Sequence, residues 1–465
     1  MQANTAGLVQ RRRLRSNVST NVADVQGSNP AVKDDIISKT ILDWAFEHIP
    51  DELWETVAPP DSNVNYTGSS DTSTAPAYDS EPRHHGEAMS RASERELWKA
   101  SEKREIDALE ELNFAEIVDI PEDRTPLPII WVYKYKTDET GKVVLHKSRL
   151  VVRGDLAIQG FDYFETYSPV AKIDSIRLVL AIIIVHRMLT VQMDISNAYV
   201  QSEISEEVYV KAIPGVPLPL GKCLKVLRSL YGNPQAGRNW NSVISIFFIE
   251  LNLVCLREDL CVYGLFELGI LVAVIALYVD DIIAGLDSEI RKKWFVDQIM
   301  ARFKAKYLGL PTNVVGLSVT WMPIQNQIYF QSVKIVNIKS IKVLGKKFEL
   351  MGSKPVKLPY NEATKLTKIQ CPVGAQLECP DIKQMQTEYR TLVGTFIWLQ
   401  TTTRVDITQT VLVLSQFVSN PSYQHYKAAL WLVKYLLGTL ELGIVYDMNA
   451  DAQIVGYVDA DHASH

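Results

Sequence analysis

The fold is decided by residues 270–284, which read ILVAVIALYVDDIIA. Two apolar runs, Ile270–Val279 and Ile282–Ala284, meet at the adjacent carboxylates Asp280 and Asp281. Short runs rich in β-branched residues predict two strands, here joined as a hairpin. Two carboxylates beside buried strands cost free energy unless they are exposed or bind a metal ion. A hairpin turn, where Asp is favoured, and a metal site are therefore both open.

A second feature places one more carboxylate at a strand end. Asp194 ends the short predicted strand Val191–Ile195, which follows an apolar helix predicted over Ile176–Leu189. By itself Asp194 favours a helix N-cap, because Ile195–Val200 follows it. Together with the pair at 280–281 it gives three carboxylates at strand ends of one sheet, which can bind two divalent cations such as Mg²⁺. Two such ions about 3.5–4 Å apart can activate a 3′-hydroxyl and stabilise a leaving pyrophosphate.

The charge of the chain is unevenly distributed. The 465 residues, 47% apolar and 22% charged, suit a globular protein of two to four domains. The net charge of −6 argues, as a whole, against a polyanionic ligand. Residues 1–90 alone hold 7 basic and 13 acidic residues, so the rest is neutral. Within that rest, Lys134–Arg153 carries a net +4 and Lys334–Lys357 a net +6.

Cysteines and apolar segments indicate the compartment. The five cysteines show no CxxC spacing, which disfavours a disulfide scaffold or a zinc ribbon and favours a reducing compartment. Residues 1–10 lack the apolar core of a signal peptide. The apolar stretch 265–279 is shorter than the ~20 residues of a membrane helix. We therefore expect an intracellular protein without a membrane partner, either cytoplasmic or nuclear, since Arg11–Arg15 is typical of a nuclear address or of a solvated tail.

The remaining segments predict where ordered structure begins. Residues 1–90 are expected to be a mostly disordered tail and linker, although Ile36–Trp54 could form one amphipathic helix. Order is expected from Ser93, since Ser93-x-x-Glu96 is typical of a capping box. Other predicted elements are strands over Ile129–Tyr135 and Val143–Val152, a turn at 138–141, and helices over Thr391–Phe417 and Tyr426–Leu437.

A series of motifs identifies a family. In chain order they are KSRLVVRG at 147–154, FDYFETYSPVAK at 161–172, QMD at 192–194, LYG at 230–232, QAGRNW at 235–240, YVDD at 278–281, YRTLVG at 389–394, TRVDI at 403–407 and YLLGT at 435–439. The series resembles the reverse transcriptase of copia-type LTR retrotransposons, over about four-fifths of the chain from Trp98 onward. The resemblance implies an α+β right-hand polymerase fold. Fingers and palm would span 91–330, a thumb and connection-like region 331–450, and the first strand of a truncated RNase H domain 451–465.

The resemblance implies a catalytic metal site. Asp194, Asp280 and Asp281 match the family's catalytic, metal-binding aspartates, which hold two Mg²⁺ (or Mn²⁺) ions. Asp281 would have the lesser part, because neighbouring side chains diverge on a tight hairpin.

The resemblance also implies nucleotide-binding residues. Lys147 and Arg149 would hold the triphosphate of a dNTP, Tyr199 would be the steric gate against a ribose 2′-hydroxyl, and Gln235 would pack on the nascent base pair. The plainer alternatives are a solvated strand face for the two basic residues, a core aromatic for Tyr199 and a polar helix start for Gln235.

Nucleic acid is the expected partner. The resemblance implies an RNA template paired with a DNA or RNA primer, and it leaves the oligomeric state open. The basic segment Lys334–Lys357 falls in the thumb, where it would follow the phosphates of the duplex. Its alternative is an ordinary solvated helix surface.

Departures from the family pattern leave three hypotheses. Asn233-Pro234 stands where the family has Leu-Lys, and proline removes an N–H beside the site. Asp459 resembles the first carboxylate of RNase H, but its partner carboxylates are absent, so we expect no RNase H activity. Protease, integrase and zinc-knuckle motifs are missing, which indicates a Pol polyprotein fragment. The chain is then an active RNA-directed DNA polymerase, a catalytically inactive truncated relic that at most binds nucleic acid, or a fragment that does not fold stably. The aspartate set favours the first hypothesis over the second, whereas the truncation and Asn233-Pro234 favour the second or the third.

Overall fold

The structure, a computed structural model, describes residues 80–137, 143–361, 365–374, 377 and 379–450. Several predictions lie outside these residues: most of the tail and linker with the basic cluster at 11–15, the helix over Ile36–Trp54, the turn at 138–141, and the RNase H strand with Asp459.

Helices and strands alternate irregularly along the chain. Within the described residues the α-helices are α1 (His85–Ser90), α2 (Arg95–Glu110), α3 (Ile173–Val185), α4 (Ala236–Glu250), α5 (Glu289–Arg302), α6 (Ile338–Lys347), α7 (Pro380–Thr402), α8 (Thr408–Ser415) and α9 (Tyr423–Gly438). The strands are β1 (Ala115–Asp119), β2 (Ile129–Thr137), β3 (Val143–Val152), β4 (Leu189–Ile195), β5 (Glu203–Val210), β6 (Lys222–Arg228), β7 (Val254–Cys255), β8 (Val262–Glu267), β9 (Ile270–Tyr278), β10 (Asp281–Leu286), β11 (Ala305–Gly309), β12 (Asn313–Val314), β13 (Leu317–Pro323), β14 (Phe330–Val336) and β15 (Ile444–Asp447). Named strands pair antiparallel throughout, which gives the predicted α+β class.

A six-stranded sheet in the order β11-β4-β10-β9-β8-β7 carries the largest core. The strands β4, β9 and β10 are almost wholly buried, because α3, α4 and α5 supply apolar side chains to the same core. This burial explains why their sequences are near-continuous apolar runs instead of alternating ones. The hairpin predicted around Asp280 and Asp281 is confirmed as β9 and β10.

A second core lies between the N-terminal helices and the β2–β3 hairpin. Trp98 of α2 is fully buried and packs edge-on against Tyr133, 5.0 Å between ring centroids. The strands at 129–137 and 143–152 confirm the two predicted strands. The capping box of Ser93 and Glu96 is wrong, because α2 begins at Arg95 with Glu94 as N-cap. The prediction that order begins at Ser93 is also wrong, since α1 precedes it. The Glu94 carboxylate accepts a hydrogen bond from Tyr135 Oη at 2.8 Å.

The helices α6 to α9 form a third core of their own. The predicted helix over Thr391–Phe417 is wrong as one element. It is divided into α7 and α8 by a turn and a 3₁₀ segment, Val405–Ile407, beside the fully buried Arg404. The guanidinium of Arg404 bonds to Asp406 two residues further on, which an uninterrupted helix could not arrange because residues two apart point to different sides.

The chain returns from these helices to a sheet. The four-stranded sheet has the order β12-β13-β14-β15, and β15 pairs with β14 from Ser332↔Asp447 to Ile335↔Ile444. Along the chain, α6 to α9 therefore come after one strand of this sheet, β14, and before its neighbour, β15. No helix in the described ranges has both the length and the apolar composition to cross a bilayer.

Candidate active site

The central sheet brings the three predicted aspartates together. Asp281, the first residue of β10, is directly opposite Asp194 of β4 in the antiparallel ladder. Residues opposite each other share a face of the sheet, with Cβ atoms roughly 4.5–5.5 Å apart. Asp280 is in the turn just before β10. The N-cap interpretation of Asp194 is wrong, because Asp194 lies inside a strand and the next helical segment begins only after Asn197.

The aspartates repel one another in a half-buried position. Burial raises the pKa of Asp281 to about 6, and the charges of Asp280 and Asp194 add to the rise. Burial and the charge of Asp194 also raise the pKa of Asp280, against the opposing effect of Arg149 and Lys147. Such a cluster of like charges is favourable only when cations accompany it.

The donor chemistry fits a divalent cation. Within the described residues, no group of three or more His, Cys, Asp or Glu side chains forms a ready-made metal site. Mg²⁺ nevertheless requires only one or two protein carboxylates, because water and substrate phosphates complete its octahedral shell. Two carboxylates across one ladder and a third in the adjoining turn satisfy that requirement.

The carboxylate repulsion predicts a pH-dependent effect of Asp281→Asn on the metal-free protein. The folded-state pKa of Asp281, about 6, exceeds the ordinary value of 3.8, so ionisation of Asp281 destabilises the folded state. The substitution should therefore raise the free energy of unfolding at pH 7 by about 1–2 kcal/mol, discounted for the partial exposure of the side chain. The gain should shrink as the pH falls below about 6 and vanish only below the ordinary value of 3.8. Urea unfolding in EDTA between about pH 3 and pH 8 measures it, and a gain independent of pH would contradict the explanation.

The turn that carries Asp280 has a strained backbone. Tyr278 and Asp281 pair across the hairpin, so Val279 and Asp280 are its two central residues. Val279 has φ +57°, in the left-handed region that β-branched residues rarely adopt. Such a conformation costs about 1–3 kcal/mol and persists only where its surroundings enforce it. Two hydrogen bonds hold the turn: Trp240 Nε1 donates to the Val279 carbonyl at 2.6 Å, and the Ile195 backbone N–H donates to the Asp280 carbonyl at 2.8 Å.

The two predicted basic residues lie beside the aspartates. Lys147 and Arg149 are two apart on β3, so they share the face opposite the buried Ser148 and Leu150. Burial and the nearby charge of Arg149 lower the pKa of Lys147, whereas the charge of Asp194 raises it. Because both side chains are half-buried and interact with the carboxylates, an ordinary solvated strand face does not describe them.

Two aromatic rings lie beside Arg149. The rings of Tyr199 and Tyr231 are 5.0 Å apart, and the Arg149 guanidinium lies 5.1 Å from the Tyr231 ring centroid. Burial and the charge of Asp280 raise the pKa of Tyr199. Tyr199 also packs against the main core, so it is a core aromatic and a neighbour of the aspartates at once. The LYG motif contained the signal for Tyr231, but its place beside Arg149 was not predicted.

Glu105 is a further neighbour of Lys147 and Arg149, and no sequence motif indicated it. It is on α2, half-buried, and its Oε1 has no hydrogen-bond partner within the described residues. Burial raises its pKa, and the charges of Lys147 and Arg149 oppose that rise. The start of β3 is 38 positions after Glu105, so no local pattern could reveal the pairing.

The QAGRNW motif joins the site to a surface loop. Gln235 is buried and immediately precedes α4, but its side chain does not cap the helix. Its Nε2 donates a hydrogen bond to the Asp162 carbonyl at 3.2 Å. Gln235 therefore links the loop that contains Asp162 to the start of α4. Gln235 is thus a polar residue at the start of a helix by its backbone position, but its side chain bonds to Asp162 and not to the helix. The unusual Asn233-Pro234 is accommodated before the helix, although the buried Asn233 amide has no partner within the described residues.

Glycine permits the close approach of this motif to β3. Gly232 has φ +91°, and a Cβ there would collide with the Val152 carbonyl. The backbone N–H of Val152 donates to the Tyr231 carbonyl at 2.8 Å. The close backbone contact therefore fixes Tyr231 relative to the strand that carries Arg149.

The sequence profile of a known family matches this site. The profile described as "Reverse transcriptase (RNA-dependent DNA polymerase)" matches residues 113–362, more than half of the chain. The chain belongs to this family. The reverse transcriptase profile contains every predicted site residue, and its family typically uses divalent metal ions. The α+β fold described above fits the right-hand polymerase fold expected for a member of this family.

Relatives from plant transposons confirm the copia-type resemblance. The chain is 30% identical over 83% of its length to the Retrovirus-related Pol polyprotein from transposon TNT 1-94 of Nicotiana tabacum. It is 29% identical over 83% of its chain to that from transposon RE1 of Arabidopsis thaliana. The chain spans 28% and 25% of these relatives. A solved foamy viral protease-reverse transcriptase in complex with ds DNA is 13% identical, with a TM-score of 0.37 over 73% of this chain and 48% of its own.

Proposed function

We propose that the chain is an RNA-directed DNA polymerase that transfers nucleotides from dNTPs to a primer 3′-hydroxyl, with two Mg²⁺ or Mn²⁺ ions at the aspartates. The observation that carries the proposal is the pairing of Asp281 with Asp194 and the turn position of Asp280. When bound, the two ions would neutralise the phosphates and lower the pKa of the attacking hydroxyl. Asp194, Asp280 and Asp281 would hold the ions, and their mutual repulsion would be relieved by them.

The basic residues would hold the triphosphate of the incoming nucleotide. A guanidinium forms paired hydrogen bonds with phosphate oxygens, and Arg149 is held in place against the ring of Tyr231. Lys147 adds a positive charge on the same strand face. The charges of both residues already act on Asp280, so a nucleotide between them would lie next to the carboxylates. A triphosphate fixed there is positioned before the reaction begins.

Tyr199 would exclude ribonucleotides. The substitution Tyr199→Val shortens the side chain next to Asp280 and should relax discrimination against rNTPs by about ten- to a hundredfold in kcat/KM, the usual effect of pocket size. Tyr199→Phe keeps the ring and should leave the discrimination within about threefold of the wild type. Single-nucleotide incorporation kinetics with matched dNTP and rNTP measure both variants. Unchanged discrimination in Tyr199→Val would contradict the gate.

The helix α6 would follow the duplex of template and primer. Its buried side includes Ile341 and Leu344. Its lysines are exposed, namely Lys339, Lys342, Lys346 and Lys347. Lysines on one exposed surface bind phosphates with an affinity that falls steeply as salt rises. The arrangement supports a duplex-binding role for the basic segment, beyond the solvated helix surface that composition alone allows.

A primer-extension assay tests the proposed function. The full chain is supplied with an RNA template, an annealed DNA primer, dNTPs and Mg²⁺, beside the double variant Asp194→Asn/Asp280→Asn. Extension by the wild type that is lost in the variant and with EDTA supports the proposal. A wild type that unfolds cooperatively and binds the duplex, but does not extend the primer, would instead be the inactive alternative.

A further inference from the structure

The turn that carries Asp280 requires an outside constraint. Val279 is a β-branched residue in the left-handed region, and a two-residue turn offers few contacts of its own. An unconstrained turn would relax toward φ values that valine prefers, and this would move the adjoining Asp280. The carbonyls of both central residues are instead held by groups from other elements, the indole of Trp240 and the backbone N–H of Ile195.

Trp240 is built to act as a fixed donor. It is 1% exposed, and its ring packs edge-on against Phe303 with centroids 5.3 Å apart. Phe303 in turn contacts Phe247 of α4 at 5.1 Å, so the indole lies in a continuous aromatic cluster. A side chain this enclosed has one orientation, and its N–H is directed at the Val279 carbonyl.

We infer that Trp240 is a positioning residue for the candidate metal site, which fixes the strained turn and thereby keeps the Asp280 carboxylate near Asp194. The inference rests on the proposed function, because it assigns the turn a cation to hold. It predicts that the hydrogen bond of Trp240 matters for the affinity of the cation, over and above its packing. The backbone bond of Ile195 is made by β4 itself, so Trp240 is the side chain through which α4 acts on the turn.

The test uses Mn²⁺ binding, followed by electron paramagnetic resonance of the full chain without nucleic acid. Trp240→Phe keeps a ring but removes the donor, and it should weaken Mn²⁺ binding about tenfold. The matched control is Trp321→Phe. Trp321 Nε1 likewise donates to a backbone carbonyl, that of Pro311, at 2.6 Å. Trp321 is on β13 of the four-stranded sheet, whereas Asp194 and Asp281 are in the six-stranded sheet. This control should leave Mn²⁺ affinity unchanged. Thermal unfolding of each variant verifies that it is folded.

A second variant separates positioning from packing. Val279→Gly removes the strain, because glycine adopts positive φ freely. In the Val279→Gly background, Trp240→Phe should change Mn²⁺ affinity less than about threefold. Glycine keeps the turn conformation without strain, so the turn depends less on the hydrogen bond from Trp240. An undiminished effect in that background, wild-type affinity in Trp240→Phe, or equal weakening in Trp321→Phe would each overturn the inference.

Mn²⁺ binding also distinguishes this inference from the proposed function. Binding that is lost in Asp280→Asn and weakened in Trp240→Phe supports the role of Trp240 even if the wild type extends no primer, in which case only the proposed function fails. A wild type that binds no Mn²⁺ through Asp280 overturns the inference itself.

Discussion

Replacing Asp280 with asparagine should lower primer extension by on the order of a thousandfold, because a carboxylate that holds a catalytic cation contributes several kcal/mol to transition-state stabilisation. The amide keeps the size of the side chain but removes its charge. Removal of one like charge also relieves the repulsion with Asp194 and Asp281, so the folded protein should not lose stability. Extension rates at saturating dNTP and Mg²⁺ measure the loss, and urea unfolding verifies the fold.

The matched control for this prediction is Asp297→Asn. Asp297 is exposed on α5 and pairs with Lys293 at 2.5 Å, so the same chemical change there should alter extension less than twofold. Extension by Asp280→Asn at more than about a tenth of the wild-type rate would contradict a metal-binding role for Asp280.

The second large effect concerns stability. Arg404 is fully buried, and its Nε and one terminal nitrogen donate to the two carboxylate oxygens of Asp406 at 2.9 and 2.8 Å. Burial alone would raise the pKa of Asp406, but the bonds and charge of Arg404 hold it below the ordinary value. Asp406→Ala leaves the guanidinium buried without its counterion, and it should lower the free energy of unfolding by about 3–5 kcal/mol at pH 7.

Urea unfolding measures this loss, and a surface pair provides the control. Asp174 pairs with Arg177 at 3.2 Å but is 82% exposed, so Asp174→Ala should change the free energy of unfolding by less than about 0.5 kcal/mol. Since the pKa of Asp406 is lowered by folding, its contribution is present at neutral pH and is lost as the pH falls through the folded-state value. A loss below about 1 kcal/mol in Asp406→Ala would show that the pair is not needed for stability.

Secondary-structure elements that follow from a local run of apolar residues were predicted correctly. The apolar runs that meet at Asp280 and Asp281 gave a correct hairpin, and the strands at 129–137 and 143–152 were also located. Periodicity also predicted one helix over 391–417, which is in fact interrupted beside Arg404. Nothing in the periodicity indicates that Arg404 is buried and bonded to Asp406. Tertiary structure overrode propensity at that position.

The site was predictable only in part for the same reason. A motif identifies Asp194 and Asp280 as candidates, but their closeness depends on the order of strands in the sheet. The bond between Trp240 and Val279 spans 39 residues, and Glu105 reaches β3 across a similar interval. Such contacts follow from packing of distant segments, about which a single sequence contains little signal.

The pairing of β14 with β15 has a mechanical consequence for the helices α6 to α9. The polypeptide leaves one strand, forms the helices, and comes back to the neighbouring strand, so both attachment points of the helical unit are about 4.8 Å apart. Loss of the ladder between β14 and β15 would therefore detach the C-terminal end of the helical unit from the sheet, while its N-terminal end stayed joined to β14.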